Sequence, residues 1–333
     1  MHNISSDTQV VLMLCGVLPG APVCDGTPLG AADFYRLARW LDGRKLSPSA
    51  LLEADALREA AEGIIEHQVS MERLQTLLRR GAAIALACER WLQMGLWIIS
   101  PYDKSYPPRL RERLAEKSSP LLFGAGNLAL LNEGGIAVVG SRNADEAAQE
   151  FAVMVGEKAA GQRVPIISGG ARGVDAASMR GAIEHGGNVV GVLAHNLARE
   201  AVAPESREFL QDGRLVLLTP VSPEAPFHAG YAMARNKYIY ALADYAVVVS
   251  SDYGSGGTWS GAQENLKHAW CPLFVRDGDG LPEGNSRLMK RGAVPMQRSV
   301  LESGADLLVW FESNSPAINT NEQGSLFSGG NEQ

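Results

Sequence analysis

The chain lacks most of the features that would place it outside the ordinary globular class. Its four cysteines, Cys15, Cys24, Cys88 and Cys271, form no CxxC pair and have no histidine at ligand spacing. That excludes a legible zinc site or disulfide framework, so no metal is expected and reduced thiols fit a cytoplasmic protein. No run approaches the ~18 apolar residues that a bilayer span needs, and no membrane contact is expected. The apolar stretch Val10 to Leu18 has no Lys or Arg ahead of it and Pro19-Gly20 behind it, so it reads as a core helix rather than a secretory leader. Positive charge is also short: 30 basic against 37 acidic residues give a formal net charge of −7. Non-specific coating of duplex DNA depends on Lys and Arg displacing phosphate counterions, so that function is excluded and any nucleic-acid site must be local.

What is present is glycine, 36 of 333 residues, within a chain that is 46% hydrophobic and 20% charged. Such a composition buries a sizeable core, and the length suits two ordered units at ~150 residues per domain. Phe34, Leu37, Trp40 and Leu41, then Met71, Leu74, Leu77 and Leu78, recur at three- and four-residue spacing, with Gly43, Ser47-Pro48-Ser49 and Gly81 as punctuation. This periodicity predicts a small helical N-terminal domain over 1–96. The proline-rich stretch 97–134, with Pro101, Pro107, Pro108 and Pro120, reads as a linker packed on the next domain. From 135 to 312 short aliphatic runs take over: Ile136 to Val139, Val164 to Ile167, Val189 to Val192, Leu215 to Leu218, Ala246 to Val249 and Leu273 to Val275. Continuous apolar runs mean strands buried on both faces. Helical stretches between them (Glu146 to Ala160, Ala176 to His185, Trp259 to His268) predict an α/β, Rossmann-like, doubly wound and mostly parallel sheet. The tail 313–333 has no Lys or Arg and almost no apolar residues, and disorder is expected there.

Three glycine-rich turns each come after a strand and open a helix: Gly140-Ser141-Arg142, the run Ser168-Gly169-Gly170-Ala171-Arg172-Gly173-Val174-Asp175, and Gly254-Ser255-Gly256-Gly257-Thr258. Parallel strands end on one edge, so the turns converge at the crevice where open α/β sheets bind ligands. Glycine lets backbone approach a phosphate, helix N-termini add N–H donors, and Arg142 and Arg172 add forked permanent charge. The bland alternative is that tight turns need glycine for packing alone; three turns on one edge favour an anion site. Asp175 reads either as a helix N-cap or as a functional group. Arg235, Asn236 and Lys237 could face the same edge, with Tyr238 or Tyr240 stacking a base, or could belong to a helix whose tyrosines are core. Lys267 and His268 read as compensation of a helix dipole. Nothing calls for a catalytic group or a cofactor.

From Trp97 to Ala293 the chain resembles the DNA-processing protein A (DprA/Smf) family. The matching residues are Tyr102-Asp103, Tyr106-Pro107, Val138-Val139-Gly140-Ser141-Arg142, the run Ser168 to Asp175, Arg235-Asn236, Ser255-Gly256, Gly284-Asn285 and Gly292-Ala293. The resemblance implies binding of single-stranded DNA, homodimerisation through the Rossmann-like domain and delivery of DNA to the RecA recombinase, with Arg142, Arg172 and Arg235 as DNA-contacting positions. The resemblance also implies a role in DNA uptake by transformation, or, for a divergent paralogue, in defence. Departures mark a divergent member: Met179 and Ser250 stand where the family usually has His and Glu, Lys237 replaces a second Arg, and no C-terminal winged helix is expected.

Gln323-Gly324-Ser325-Leu326-Phe327 resembles the Gln-x-x-Leu-Phe peptide that docks on the replicative sliding clamp, although so short a motif also recurs in idle tails. Two other functions fit the same cradle. One is a sensor of a free nucleotide. The other is a nucleoside-monophosphate phosphoribohydrolase, whose Gly-Gly-x-Gly-Thr turn has a catalytic Glu close behind; here Glu264 lies six residues beyond Thr258, the wrong spacing for acid/base work on the same ligand.

Overall fold

Side chains alternate across a strand, so a strand with apolar residues at every position needs a core on each side. In a computed structural model describing residues 4–18, 26–64 and 69–316, β3 (Ile136–Gly140) sends Ile136 and Val138 into one core and Ala137 and Val139 into the other. β4 (Ile166–Ser168), β5 (Val189–Val192), β6 (Leu215–Thr219), β7 (Tyr245–Ser250) and β8 (Leu273–Asp277) lie parallel beside it. Helices α7 (Glu146–Gly161), α8 (Val174–Glu184), α9 (Leu197–Glu200) and α10 (Pro204–Gln211) connect β3 through β6, while α11 (Ala229–Leu242) and α12 (Gly256–His268) connect β6 through β8. The chain walks outward from β3 to β6, then returns to place β7 on the other side of β3. That reversal opens a crevice between the β3 and β7 ends.

The sheet is larger than the aliphatic runs predict. Among the described residues it has nine strands: β1 (Leu96–Ile99) and β2 (Leu122–Gly126), then β6, β5, β4, β3, β7 and β8, and at the far edge β9 (Val294–Gln297). The segment 97–134, expected as a linker, carries most of β1 (Leu96–Ile99) and all of β2 (Leu122–Gly126), which extend the sheet antiparallel from β6, with α6 (Pro108–Leu114) between them. Its prolines flank these short strands without interrupting them. The opposite edge, β9 (Val294–Gln297), comes after α13 (Glu283–Met289) and buries only Met296 fully, a pattern too weak to read as a strand. The last of the described helices are α14 (Arg298–Glu302) and α15 (Leu307–Asn314). Order therefore reaches slightly past 313, where the sequence predicts disorder. α15 is capped by Asp306, whose Oδ1 accepts the Val309 N–H at 3.0 Å, and is anchored by Phe311 stacked on Tyr245 at 4.9 Å. The clamp-like peptide Gln323 to Phe327 lies outside the described residues.

The first helices are α1 (Ser6–Cys15), α2 (Ala31–Asp42), α3 (Ala54–Ile64), α4 (Met71–Leu78) and α5 (Gly81–Gln93). They enclose a core of their own around Leu14, Leu37, Leu41, Leu74 and Leu77. They also share one with the sheet, where Phe34, Ile84 and Trp91 join Leu96 and Phe123. Asp103 ties the two together: it accepts from Ser5 Oγ at 2.6 Å, Thr8 Oγ1 at 2.5 Å and the Ser100 N–H at 2.7 Å. No described helix is long and apolar enough to cross a membrane.

Candidate nucleic-acid interface

The crevice between the β3 and β7 ends is a cleft of about 350 Å³, lined by Gly140, Arg142, Asp175, Phe227, Arg235, Asn236 and the turn Gly256-Gly257-Thr258 among others. The first and third glycine turns form its walls, and hydrogen bonds lock them together. Thr258 Oγ1 donates to the Gly140 carbonyl at 2.9 Å, Asn236 Nδ2 donates to the Gly257 carbonyl at 2.9 Å, and the Ser141 N–H reaches the Ser250 carbonyl at 2.9 Å. Exposed Gly254 and Ser255 stand outside the lining. Ser141 Oγ accepts the Asn143 N–H at 3.1 Å and so shapes its own turn.

The second turn supports the cleft from behind. Ser168 is fully buried and its Oγ donates to the Val138 carbonyl at 2.6 Å, which removes it from ligand contact. Gly169 leaves room for Arg235: a Cβ there would sit 1.6 Å from the guanidinium Nη1. Gly170 is exposed with φ +65°. Arg172 is exposed and donates to Asn143 Oδ1 at 2.9 Å, beside the cleft rather than in its lining. Gly173 is the cap residue of α8, so Asp175 lies in the first turn of that helix and is not its N-cap.

Arg235 is the cation of the cleft. Its side chain is buried, with Nη1 4.0 Å from Asp175 Oδ2, and its Nε and Nη1 atoms have no hydrogen-bond partner. Arg142 joins it from the first turn, exposed and with its Cζ 5.4 Å from the centre of the Phe227 ring. Burial pushes the Asp175 carboxyl up to about 6, against the opposing effect of Arg235 and the amides of Ala171, Gly140 and Gly169. The folded state holds this proton at a pH where an unfolded Asp has released it, so folding gains from protonation as pH falls through about 6. Anion binding gains likewise, because a neutral Asp175 leaves the Arg235 charge uncompensated. A sulfate ion used as an anion probe of the cleft is therefore expected to be held more tightly as pH falls from about 7.5 to 5.5, by about tenfold for each pK unit that the bound anion adds to Asp175. A profile equally steep in Asp175→Asn would exclude this carboxyl as its origin.

Lys237 does not join the site. It sits over the Tyr238 ring at 5.5 Å and donates to the Lys117 carbonyl on the far side of α11. Tyr238 and Tyr240 are core residues 2% and 1% exposed, so neither stacks a base; Tyr238 Oη accepts the Ser119 N–H at 2.6 Å. His268 stacks on Trp270 at 5.2 Å. The cleft also has an aromatic rim that no sequence motif announces. Phe227 is 53% exposed, lies edge-on to His195 at 5.3 Å, and shares the lining with exposed Met233. The proline-rich run Pro220 to Pro226 ahead of it looks like any connecting loop. Among the described residues no His, Cys, Asp or Glu cluster could hold a metal ion.

Fold and cleft together define a Rossmann-like protein with an arginine-lined crevice at its topological switch point. The chain belongs to the DNA recombination-mediator protein A family, whose model matches residues 97–302. It is 31% identical over 219 residues to the DNA processing protein DprA of Streptococcus pneumoniae, covering 63% of this chain and 72% of that protein. It is 28% identical over 305 residues to protein Smf of Escherichia coli, covering 86% and 72%. The X-ray structure of the Streptococcus pneumoniae protein shares the fold, with a TM-score of 0.67 at 20% identity over 89% of this chain and 95% of that one. So does DNA processing protein A of Helicobacter pylori, a structure described for its single-stranded DNA binding mode, with a TM-score of 0.50 at 20% identity over 62% and 94%.

Proposed function

We propose that this DNA-processing protein holds single-stranded DNA with a phosphate in the cleft, and that it acts by binding rather than by chemistry. The observation that carries the reading is Arg235. A buried guanidinium with two unmatched nitrogens costs about 1–3 kcal/mol per unsatisfied group, and a phosphate entering between the first and third turns would supply the missing acceptors. Arg142 adds a second cation, and exposed Phe227 offers a face on which an unpaired base stacks. The Helicobacter pylori relative, described as binding single-stranded DNA, supports the same ligand here.

The test is a titration of labelled single strand, duplex and mononucleotide at two salt concentrations. Single strand is expected to bind tightest, and Arg142→Ala to weaken it across sequences while lowering the salt slope by about 0.7. A mononucleotide that competes at micromolar concentration would favour the nucleotide-sensor reading instead. Glu264 does not line the cleft, which counts against the phosphoribohydrolase reading; release of free base from nucleoside monophosphates would restore it.

Homodimerisation and delivery of the strand to RecA extend this reading by family resemblance. A monomer in light scattering, or RecA filament assembly unchanged by the protein, would remove them. Docking on the sliding clamp through Gln323, Leu326 and Phe327 is a separate proposal, overturned if clamp binding survives Leu326→Ala with Phe327→Ala.

A further inference from the structure

Immediately beyond the third glycine turn the molecule carries a second cationic and aromatic surface that the cleft does not use. Tyr253, 46% exposed, lies edge-on to Trp259 with ring centres 5.1 Å apart. The guanidinium of Arg287 covers the Tyr253 ring at 4.8 Å, and that of Arg291 covers Trp259 at 5.1 Å. Arg287 lies in the last turn of α13, and Lys290 and Arg291 follow the end of that helix. Arg287 is neutralised by Glu283 at 2.7 Å, whereas exposed Lys290 and Arg291 have no ion-pair partner among the described residues. Asp252, beside Tyr253, is a nearby acid.

The position of this surface is fixed. Asn285, fully buried, accepts the Ser251 N–H at 2.9 Å and donates to the Val249 and Arg276 carbonyls at 3.1 and 3.0 Å. Gly284 packs so closely that a Cβ would meet the Ser251 carbonyl oxygen at 2.1 Å. Gly284 and Asn285 thus clamp the start of α13 to the C-terminal end of β7, the strand whose outgoing turn walls the cleft, and the Arg291 side chain reaches back over Trp259 in the first turn of α12, with exposed Lys290 next to it in the chain.

We infer that Tyr253, Lys290 and Arg291 form a second contact for the same DNA strand, which leaves the cleft across the third glycine turn, stacks a base on Tyr253 and brings its next phosphates to Lys290 and Arg291. The inference rests on the proposed single-strand binding at the cleft. An exposed tyrosine ring suits an unpaired base, since duplex DNA presents no free base faces along its length, and two unpaired cations suit a phosphate backbone.

The experiment compares thymine oligonucleotides of ~6 and ~20 nucleotides, the short one spanning little more than a single site. Lys290→Ala with Arg291→Ala is expected to leave the short oligonucleotide unaffected while lowering the salt slope for the long one by about 1.4. Tyr253→Ala is expected to weaken only the long one, by about tenfold. Unchanged thermal midpoints would show that the variants fold. No change with the long oligonucleotide, equal losses at both lengths, or an equal loss with duplex would overturn the second contact. If the wild type fails to bind either length, the cleft reading falls, and this inference with it.

Discussion

Arg235→Ala is expected to abolish measurable single-strand binding and to destabilise the protein by about 3 kcal/mol. Both effects come from one geometry. Arg235 and Asp175 are 4% and 6% exposed and 4.0 Å apart, so each is the principal counter-charge of the other. Removing one partner of a buried pair leaves an uncompensated charge in a poorly solvated site, which costs more than the pair contributes. The double change Arg235→Ala with Asp175→Asn separates the two effects: it removes the stranded acid, which is costly to bury ionised and costly to protonate at neutral pH, and is expected to recover most of the stability without recovering binding. Arg235→Lys keeps a charge but loses the planar fork, so intermediate affinity is expected. Urea denaturation reads stability and fluorescence anisotropy reads binding. Wild-type affinity in Arg235→Ala would remove this guanidinium from the site.

The strands that build the sheet's centre are legible because burial on both faces favours apolar residues at successive positions: Ile136 to Val139 in β3, Val189-Val190 in β5 and Ala246 to Val249 in β7. β9 fails that criterion. It lies at an edge, contains Pro295 and buries one residue fully, so solvent lets its composition drift. β1 and β2 are apolar throughout, but a strand of four or five residues between prolines carries too little pattern to be separated from a loop.

The three turns are legible as the cleft's surroundings, whereas the side chains that occupy it depend on helical geometry. Arg235 and Lys237 are two residues apart, hence ~200° apart around α11. If one faces the crevice, the other must face away, and the structure gives the crevice to Arg235. Tyr238 and Tyr240 are core for a related reason: α11 packs along the sheet, and its second half is buried from Tyr238 to Leu242. Phe227 precedes α11 in an irregular segment that has no periodicity to read.

Gly173→Ala is expected to be the most damaging single-methyl change in the glycine turns, costing about 3 kcal/mol and reducing strand binding together with stability. Gly173 has φ +83° and ψ −130°, a conformation that residues with a Cβ rarely adopt. The added methyl would lie 2.4 Å from the Ser141 carbonyl oxygen and 2.9 Å from that of Arg142. Both obstacles are backbone of the first turn, so relief of the clash displaces the wall that carries Arg142, and the damage reaches the ligand from a residue that need not touch it. Two comparisons isolate the cause. Gly254→Ala also has positive φ, +72°, but its new methyl meets nothing within 4 Å, so a loss of about 1 kcal/mol from backbone strain alone is expected. Gly169→Ala would press on the Arg235 guanidinium rather than on backbone, so its effect on binding is expected to exceed its effect on stability. Thermal melts and anisotropy on the three variants give the ordering. If Gly173→Ala behaves like Gly254→Ala, the interlock between the first and second turns contributes nothing beyond local strain, and the second turn is a bystander to the cleft.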